Sequence, residues 1–244
     1  MIGLFILCYR VGRRIQDVVM TLPESVINSV DEIIVIDNGS DDDTAVWAER
    51  AIQKRCDPKF ALLRNPRNYG YGGSHKVAFD YFLSRRMDYA ILYHGDGQGD
   101  SEALKELIRM AQENRWDFVI GSRFKDIARL SGRYSLGRRW GNLFFVWLQK
   151  IVSGLNITDP GSGEVAYSLN FIKRHIPYRQ LTDSFHFTPQ LLLHASRRKV
   201  SITEIPISWG EVETSSANIY RHAWNMLKML VRFRLSGRLD AFRS

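Results

Sequence analysis

Residues 33–44 read Ile33-Ile34-Val35-Ile36-Asp37-Asn38-Gly39-Ser40-Asp41-Asp42-Asp43-Thr44, the order of a buried strand, a tight turn and a helix start. The four apolar residues do not alternate with polar ones, so they predict a strand that is covered on both faces. Ser40 and the acidic run behind it predict a capped helix over residues 44–54. Two interpretations of Asp37, at the strand end, stay open: a hydrogen-bond acceptor for a ligand, or part of a capped turn that binds nothing.

The same order of strand, turn and helix recurs along the first half of the chain. Ser74 and Ser101 mark two further helix starts, over residues 75–86 and 102–113. This repetition predicts an α/β fold with a mainly parallel sheet and helices on both faces. Later helical patterns cover residues 136–153 and 219–235. The apolar runs that predict strands are residues 2–7, 32–36, 60–63, 89–93 and 118–120.

Ligands of open parallel sheets bind beyond the carboxyl ends of the strands, so the loops after these runs are the candidate site. Tyr9 follows the first run, where it either stacks on a base or fills the sheet edge. Residues 68–73 read Asn68-Tyr69-Gly70-Tyr71-Gly72-Gly73 and place three glycines before a helix. Such glycines allow the backbone to approach a ligand closely, although a structural turn explains them equally well.

The loop at residues 94–100 alternates nitrogen and oxygen side chains behind the fourth apolar run. If the backbone stays extended there, His94, Asp96 and Gln98 point to the same side. This arrangement suits Mg²⁺ or Mn²⁺ bridged to a diphosphate. The alternative is a polar surface turn without a ligand.

Six segments, in this order, resemble the family 2 glycosyltransferases of GT-A fold. The resemblance is greatest to the branch that transfers sugars to dolichyl and polyprenyl phosphates, and it implies a Rossmann-like, mainly parallel sheet. The segments span nearly the whole chain, and their shared order is far more specific than any one of them. They are Asp-Asn-Gly-Ser-Asp at 37–41, Asn-Tyr-Gly-Tyr-Gly-Gly at 68–73, Asp-Gly-Gln at 96–98, Gly-Ser-Arg at 121–123, Asp-Pro-Gly-Ser-Gly at 159–163 and Glu-Ile-Pro-Ile at 204–207.

For the donor, the resemblance implies that Tyr9 and Asp37 contact the nucleotide base, while Asn68 and Gly70 lie near the diphosphate. The donor is then a nucleotide sugar, UDP- or GDP-linked. One departure concerns this end of the site. Tyr-Arg-Val stands at residues 9–11 where the family usually has Tyr-Asn-Glu.

For the metal and the acceptor, the resemblance implies that Asp96 and Gln98 bind the cation and that Arg123 faces the acceptor. His94 stands where the first acidic residue of an Asp-x-Asp motif is usual. Gly-Glu-Val at residues 163–165 likewise replaces a usual Gly-Phe-Arg. A sugar hydroxyl acceptor would need a general base, for which Asp183 and Asp159 are the candidates; an ionised phosphate would need none.

The implied reaction is an inverting displacement in which an acceptor oxygen attacks the anomeric carbon and a nucleoside diphosphate leaves. The acceptor is a polyprenyl phosphate or, alternatively, a growing surface glycan. A third possibility is a catalytically weakened binding subunit, which His94 and the altered segment at residues 9–11 motivate. Measurements of donor binding and sugar transfer distinguish these three alternatives.

A formal net charge of +8 favours anionic partners. Nucleic acid is not expected, because the basic residues do not form a recognition helix or an aromatic sheet motif. The basic residues Arg129, Arg133, Arg138 and Arg139, with Arg123 ahead of them, suit a phosphorylated acceptor at a membrane, or form a solvated face.

The last helical pattern is amphipathic and basic, so it predicts either an interfacial helix or a helix packed on the domain. We therefore expect a transferase domain over residues 1–215, an amphipathic segment over 216–244, and a cytoplasmic protein that lies peripherally on the inner face of a membrane. The apolar residues of the stripe are Tyr220, Ala223, Leu227, Leu230 and Val231.

Overall fold

The computed structural model describes residues 1–126, 136–209 and 219–236, with no account of the side chains of residues 136–143, 219–223 and 236. Its centre is one sheet of seven strands. All five predicted strands are confirmed, and two more follow them. The strands are β1 (Ile2–Cys8), β2 (Glu32–Asp37), β3 (Phe60–Arg64), β4 (Tyr89–His94), β5 (Phe118–Ser122), β6 (Val165–Ser168) and β7 (Ile202–Pro206).

The spatial order of the strands is β3-β2-β1-β4-β6-β5-β7. All neighbours pair in parallel except β6, which runs antiparallel between β4 and β5. The chain moves outwards from β1 to β2 and β3 and then returns to place β4 on the other side of β1. This reversal creates a crevice at the carboxyl ends of β1, β2 and β4, where doubly wound folds bind their ligands.

Helices cover both faces of the sheet, as predicted. The apolar core on one face includes buried residues of the first, second, third and fifth helices, and the core on the other face uses the fourth, seventh and eighth. The sequence patterns did not predict the first, second, seventh and eighth helices. The helices are α1 (Arg14–Thr21), α2 (Glu24–Asn28), α3 (Thr44–Arg55), α4 (Gly70–Ser84), α5 (Ser101–Gln112), α6 (Leu136–Ser153), α7 (Leu169–His175), α8 (Phe187–Ala195) and α9 (Ile219–Ser236).

The start of α4 differs from the prediction, because the three-glycine segment forms the first turn of the helix instead of a loop before it. Gly72 N donates to Asp183 O over 2.8 Å. A Cβ atom on Gly72 would lie 2.3 Å from Thr182 O, so the glycine lets this turn pack directly on the neighbouring segment. Ser74 consequently lies inside the helix and does not begin it.

Two predicted helix caps are also wrong in detail. Asp100, one residue earlier than expected, caps α5 by accepting hydrogen bonds from Glu102 N and Ala103 N. At α3 the N-cap residue Asp43 makes no side-chain cap, and Ser40 Oγ instead accepts Arg10 N over 2.9 Å. The polar residues after β2 therefore hold the neighbouring loop in addition to starting a helix.

Helices α6 and α9 pack against each other. Met226, Met229, Leu230 and Phe233 of α9 are buried in a cluster with Leu193 of α8. Of the apolar stripe, Leu230 is fully buried, Leu227 is half-buried and Val231 is 48% exposed, so α9 packs on the domain through part of the stripe only. The predicted boundary between residues 215 and 216 and the basic residues 129 and 133 lie outside the described residues, as do the side chains of residues 138, 139, 220 and 223. Within the described part of the chain, no helix is both long and apolar enough to cross a membrane.

Candidate active site

The loop after β1 is tied to the start of α3. Arg10, at a left-handed φ of +52°, makes two hydrogen bonds to the carboxylate of Asp41, at 2.7 and 2.6 Å. Val11 N and Gly12 N both donate to Thr44 Oγ1. Tyr9 stays 38% exposed beside the Arg10 guanidinium, so its ring is available at the mouth of the crevice.

Asp37 is fully buried at the end of β2. Its Oδ1 accepts Ser40 N over 3.1 Å, while Oδ2 has no hydrogen-bond partner. Arg64 Nε lies 3.4 Å from Oδ2 and balances the charge of the carboxylate. A buried acceptor without a donor is uncommon in folded proteins, so Asp37 Oδ2 is an unusual feature of this sheet edge.

Asn38 organises the segment that carries Asn68 and Gly70, a role that no pattern in the sequence indicates. Its amide donates to Asn68 Oδ1 over 2.9 Å and to Gly70 O over 3.3 Å. Its oxygen accepts Tyr69 N and Asn65 Nδ2. Asn68 Oδ1 also accepts Gly70 N over 2.7 Å. The network joins the ends of β2 and β3 to the first turn of α4.

The loop at residues 94–100 turns sharply instead of continuing β4. Gly97 has a φ of +79°, and Asp96 Oδ1 accepts Gln98 N over 3.0 Å. The assumption of an extended backbone is therefore wrong, since the strand ends at His94. The turn still brings the Asp96 carboxylate near the imidazole, with 3.9 Å between Asp96 Oδ2 and His94 Nδ1.

His94 lies within a group of aromatic rings. Trp209 meets it edge-on with 5.3 Å between ring centroids, and Tyr71 stacks at 6.0 Å. Burial lowers the pKa of His94, an effect that the charge of Asp96 opposes. The imidazole is consequently neutral at neutral pH, and its buried Nε2 has no hydrogen-bond partner. Phe185, more than half exposed, extends the group beside Tyr71.

The donor set fits a cation shared with a substrate, and does not fit one held by protein alone. In the described ranges, no three His, Cys, Asp or Glu side chains form a group that could hold a metal. Mg²⁺ is commonly held by one or two carboxylates together with substrate phosphates. Asp96 supplies one such carboxylate, and the neutral His94 adds no charge that would repel the cation.

A cavity of about 400 Å³ adjoins Asp96 between α1 and α5. Arg14 and Asp17 of α1 line it, together with Tyr93 and Ser101. Its volume is within the range of small-molecule pockets. No sequence pattern points to these residues, because the first half of the chain gives no clear helical pattern over α1.

Arg123, after β5, is held in an ion pair with Asp159. Its Nε and one terminal nitrogen donate to the two carboxylate oxygens at 2.7 and 2.8 Å, and Arg123 N donates to Oδ2. Asp159 is 2% exposed and Arg123 18% exposed. Both side chains therefore have structural partners, and Asp159 lacks the open position of a general base.

Asp183 lies beside the first turn of α4, because its backbone oxygen accepts Gly72 N. Its carboxylate is 64% exposed and accepts Lys76 Nζ over 2.6 Å. The structure thus brings Asp183 near Gly70, whose Cβ position is 2.3 Å from Asp183 O. Among the other predicted site residues, Tyr9 follows β1, Asp37 ends β2, and Asn68 and Gly70 follow β3; these three strands are neighbours in the sheet.

The profile of Glycosyl transferase family 2 matches residues 4–174, which include β2 to β6 and all but the first two residues of β1. The chain belongs to glycosyl transferase family 2. The resemblance of the chain to the family 2 glycosyltransferases is thereby confirmed.

Relatives of this glycosyltransferase include enzymes named for lipid-phosphate acceptors. A dolichyl-phosphate beta-glucosyltransferase of Dictyostelium discoideum is 26% identical over 83% of the chain. The match covers 62% of that longer protein. A UDP-N-acetylglucosamine--dolichyl-phosphate N-acetylglucosaminyltransferase of Methanococcus voltae is 25% identical over 89% of the chain and 88% of its own length. An undecaprenyl-phosphate mannosyltransferase of Micrococcus luteus is 26% identical over 84% of the chain and 79% of its own length.

Solved structures confirm the fold. Mannosyl-3-phosphoglycerate synthase from Rubrobacter xylanophilus superposes with a TM-score of 0.69 at 13% identity, over 100% of this chain and 77% of that one. Glucosyl-3-phosphoglycerate synthase from Mycobacterium tuberculosis, in complex with Mn²⁺, UDP-glucose and glycerol 3-phosphate, gives 0.61 at 15% identity, over 97% and 79%. The family 2 glycosyltransferase therefore has the Rossmann-like GT-A sheet that its sequence predicts.

Proposed function

We propose that this glycosyltransferase moves a sugar from a UDP- or GDP-linked donor to a polyprenyl phosphate, assisted by Mg²⁺ or Mn²⁺. The observation that carries the proposal is the position of two carboxylates at one edge of the sheet. Asp37 ends β2 and Asp96 follows β4, and these two strands flank β1. The acceptors named for the three relatives, dolichyl and undecaprenyl phosphates, support the choice of lipid.

In this proposal Asp37 receives a hydrogen bond from the donor base through Oδ2, the buried oxygen that has no such partner. Tyr9 supplies a ring face at the crevice mouth. Asn68 and Gly70 lie along the diphosphate, where the Asn38 network fixes their backbone. Donor binding thus depends on loops that are already held in place, which reduces the ordering required on binding.

Asp96 would hold the cation, with Gln98 following it in the same turn and His94 beside it. When bound, the cation stabilises the negative charge that develops on the departing diphosphate. Asp96 is 26% exposed, so its carboxylate can reach a ligand in the crevice. The same turn orients Asp96 through its hydrogen bond to Gln98 N.

The arrangement of the two candidate bases favours a phosphate acceptor over a sugar hydroxyl. Asp159 accepts hydrogen bonds from Arg123 and is almost fully buried. Asp183 is exposed and paired with Lys76. A phosphate oxygen is already ionised, so it can attack the anomeric carbon in a single inverting displacement without either residue. Arg123, with Asp159 orienting it, would face this acceptor.

The outer surface of α6 and α9 supports a position on the cytoplasmic surface of a membrane. Neither helix contains an acidic residue. Aromatic and aliphatic side chains are exposed along both helices, and basic residues lie among them, which is the composition of interfacial helices that bind anionic lipid. The exposed apolar residues are Phe144, Trp147, Ile151, Trp224, Val231 and Leu235. The basic residues with described side chains are Lys150, Lys228, Arg232 and Arg234.

Donor and acceptor can be tested together with the purified chain. UDP- and GDP-sugars are titrated with Mn²⁺, with Mg²⁺ and with chelator, and the melting temperature reports binding to the native state. Undecaprenyl phosphate and dolichyl phosphate in detergent are then offered with the donor that binds. Metal-dependent transfer to the lipid is expected. Transfer only to an oligosaccharide would instead establish the glycan alternative, and donor binding without transfer to either would establish the weakened subunit.

Membrane binding can be tested separately by vesicle flotation. The chain is expected to float with vesicles that contain phosphatidylglycerol and not with pure phosphatidylcholine vesicles. Trp147→Ser combined with Trp224→Ser should reduce flotation, whereas Val46→Ser, an exposed apolar position on α3, should not. Equal flotation of both variants would contradict the assignment of this surface.

A further inference from the structure

Glu164 is a fully buried carboxylic acid directly before β6. Its backbone is anchored on both sides, because Glu164 N donates to Ser162 Oγ and Glu164 O accepts Gly121 N over 2.8 Å. Gly121 belongs to β5. The side chain therefore extends from a rigid part of the sheet.

The side chain of Glu164 reaches the end of the 94–100 loop. Its Oε1 accepts Asp100 N over 2.5 Å. Asp100 in turn caps α5 through Oδ1, and its Oδ2 accepts Ser208 N over 3.0 Å. The hydrogen bond from Asp100 N thus fixes the residue that joins the loop, the helix and the segment after β7.

Gly163, the residue before Glu164, contacts the other end of the 94–100 loop. A Cβ atom on Gly163 would lie 2.4 Å from the Trp209 ring and 2.8 Å from His94 Nε2. Gly163 therefore leaves the space that the ring of His94 occupies. Two consecutive residues contact the first and last positions of the loop that carries Asp96.

Burying a carboxylic acid at this position costs free energy, so packing alone does not explain it. Glu164 Oε2 is buried without a hydrogen-bond partner, and an apolar side chain of similar volume would avoid that cost. Burial, reinforced by the charge of Asp100, raises the pKa of Glu164 to about 8. Around neutral pH the group is thus mainly uncharged and acts as a hydrogen-bond acceptor, with Tyr93 and Asp100 as its titratable neighbours.

We propose that Glu164 is a positioning residue that holds the 94–100 loop in the shape in which Asp96 binds the cation and donor diphosphate. The effect on cation and donor binding rests on the proposed function, whereas the hydrogen bond between Asp100 N and Glu164 does not. Glu164 touches no part of the donor and acts through Asp100. Its contribution should consequently appear in metal-dependent nucleotide binding and in the rigidity of the loop.

Glu164→Leu and Glu164→Gln separate the hydrogen bond from the volume of the side chain. Leucine fills the space without an acceptor, whereas glutamine keeps an oxygen for Asp100 N. Hydrogen exchange of the ligand-free chain should be at least about tenfold faster at Asp100 in the leucine variant and within about threefold of wild type in the glutamine variant. Tyr178→Phe, which removes a hydrogen bond to Asp80, should leave exchange in the loop unchanged.

Calorimetric titration with UDP and with GDP, each with Mn²⁺ or with chelator, measures the effect of these substitutions on metal-dependent nucleotide binding. Glu164→Leu should weaken Mn²⁺-dependent binding of the preferred nucleotide by about tenfold or more and leave binding in chelator unchanged. Wild-type affinity and exchange in Glu164→Leu, or equal losses in Glu164→Gln, would overturn the proposal. If neither nucleotide binds the wild-type chain, the proposed function fails, while the exchange comparison still decides the role of Glu164.

Gly99→Ala tests the same contact from the loop, including the case in which Glu164→Leu does not fold. A Cβ atom on Gly99 would lie 2.8 Å from Glu164 Oε1 and 2.5 Å from the Tyr93 ring. The substitution should therefore displace the loop end and reproduce the faster exchange and the weaker Mn²⁺-dependent binding. A Gly99→Ala variant that matches wild type in both measurements would contradict the proposal.

Discussion

Breaking the buried ion pair between Arg123 and Asp159 should strongly destabilise the domain. The pair is bidentate, with both nitrogen-oxygen distances below 3 Å, and Asp159 is 2% exposed. Asp159→Ala leaves the Arg123 guanidinium without its carboxylate partner. Because removing one partner of a largely buried ion pair is costly, we expect a loss of about 3–5 kcal/mol in the free energy of unfolding.

Replacing both partners should cost much less than breaking the pair. Arg123→Met combined with Asp159→Leu leaves no buried charge, and such replacements are often neutral or stabilising by about 1–4 kcal/mol. Urea denaturation of wild type, Arg123→Met, Asp159→Leu and the double variant measures the coupling. The reasoning is refuted if Asp159→Ala stays within about 1 kcal/mol of wild type, or if the double variant loses as much as the two single variants combined.

The double variant also separates the structural role of Arg123 from its role towards the acceptor. If Arg123 serves only the fold, a stable double variant should transfer sugar at the wild-type rate. If it faces the acceptor as proposed, the variant should bind the donor normally and require more lipid phosphate for the same rate. Equal losses of donor binding and acceptor use would count against the proposed role.

Three further predictions concern the loops. Asp96→Asn should remove the metal-dependent part of nucleotide binding in calorimetry and leave the free energy of unfolding within about 0.5 kcal/mol of wild type, because the side chain is partly exposed. Gly72→Ala should cost about 1–3 kcal/mol in urea denaturation, since its Cβ would lie 2.3 Å from Thr182 O. Glu164 keeps in the folded state a proton that the unfolded chain releases near pH 4.3, so its stabilising contribution is complete below that pH. Wild type should then lose about 1.4 kcal/mol per pH unit relative to Glu164→Gln as the pH rises towards 8, whereas parallel pH profiles would contradict this.

The sequence predicted the part of the fold that depends on local patterns. The run before Asp37 predicts β2 because continuous apolar residues fit a strand that is covered on both faces, and the same pattern predicts β1 and β4. The positions of Asp37 and Asp96 at one sheet edge follow from the parallel order of these strands. Local pattern also predicts the amphipathic α9, although it does not specify which residues pack and which remain exposed.

The remainder depends on contacts between distant segments. The first turn of α4 contains three glycines, which disfavour a helix, and it forms because residues 182–187 pack closely on it. The strand β6 has only four residues, too few for a strong sequence signal, and it runs antiparallel between two partners. Nothing near Arg123 in the sequence indicates that Asp159, 36 residues later, holds its guanidinium.

The departures from the family pattern become interpretable only when their neighbours are known. In the sequence, a histidine at position 94 weakens the expectation of a metal site because one carboxylate is lost. In the structure, the imidazole is held between Trp209 and Tyr71 and is neutral, so it places a rigid, uncharged group beside Asp96. Gly163 and Glu164, the second departure, contact the same loop. Gly163 leaves the space for the imidazole, and Glu164 provides the acceptor for Asp100 N. The two departures are therefore structurally linked, and replacing His94 without adjusting Gly163 should disturb the loop as a whole.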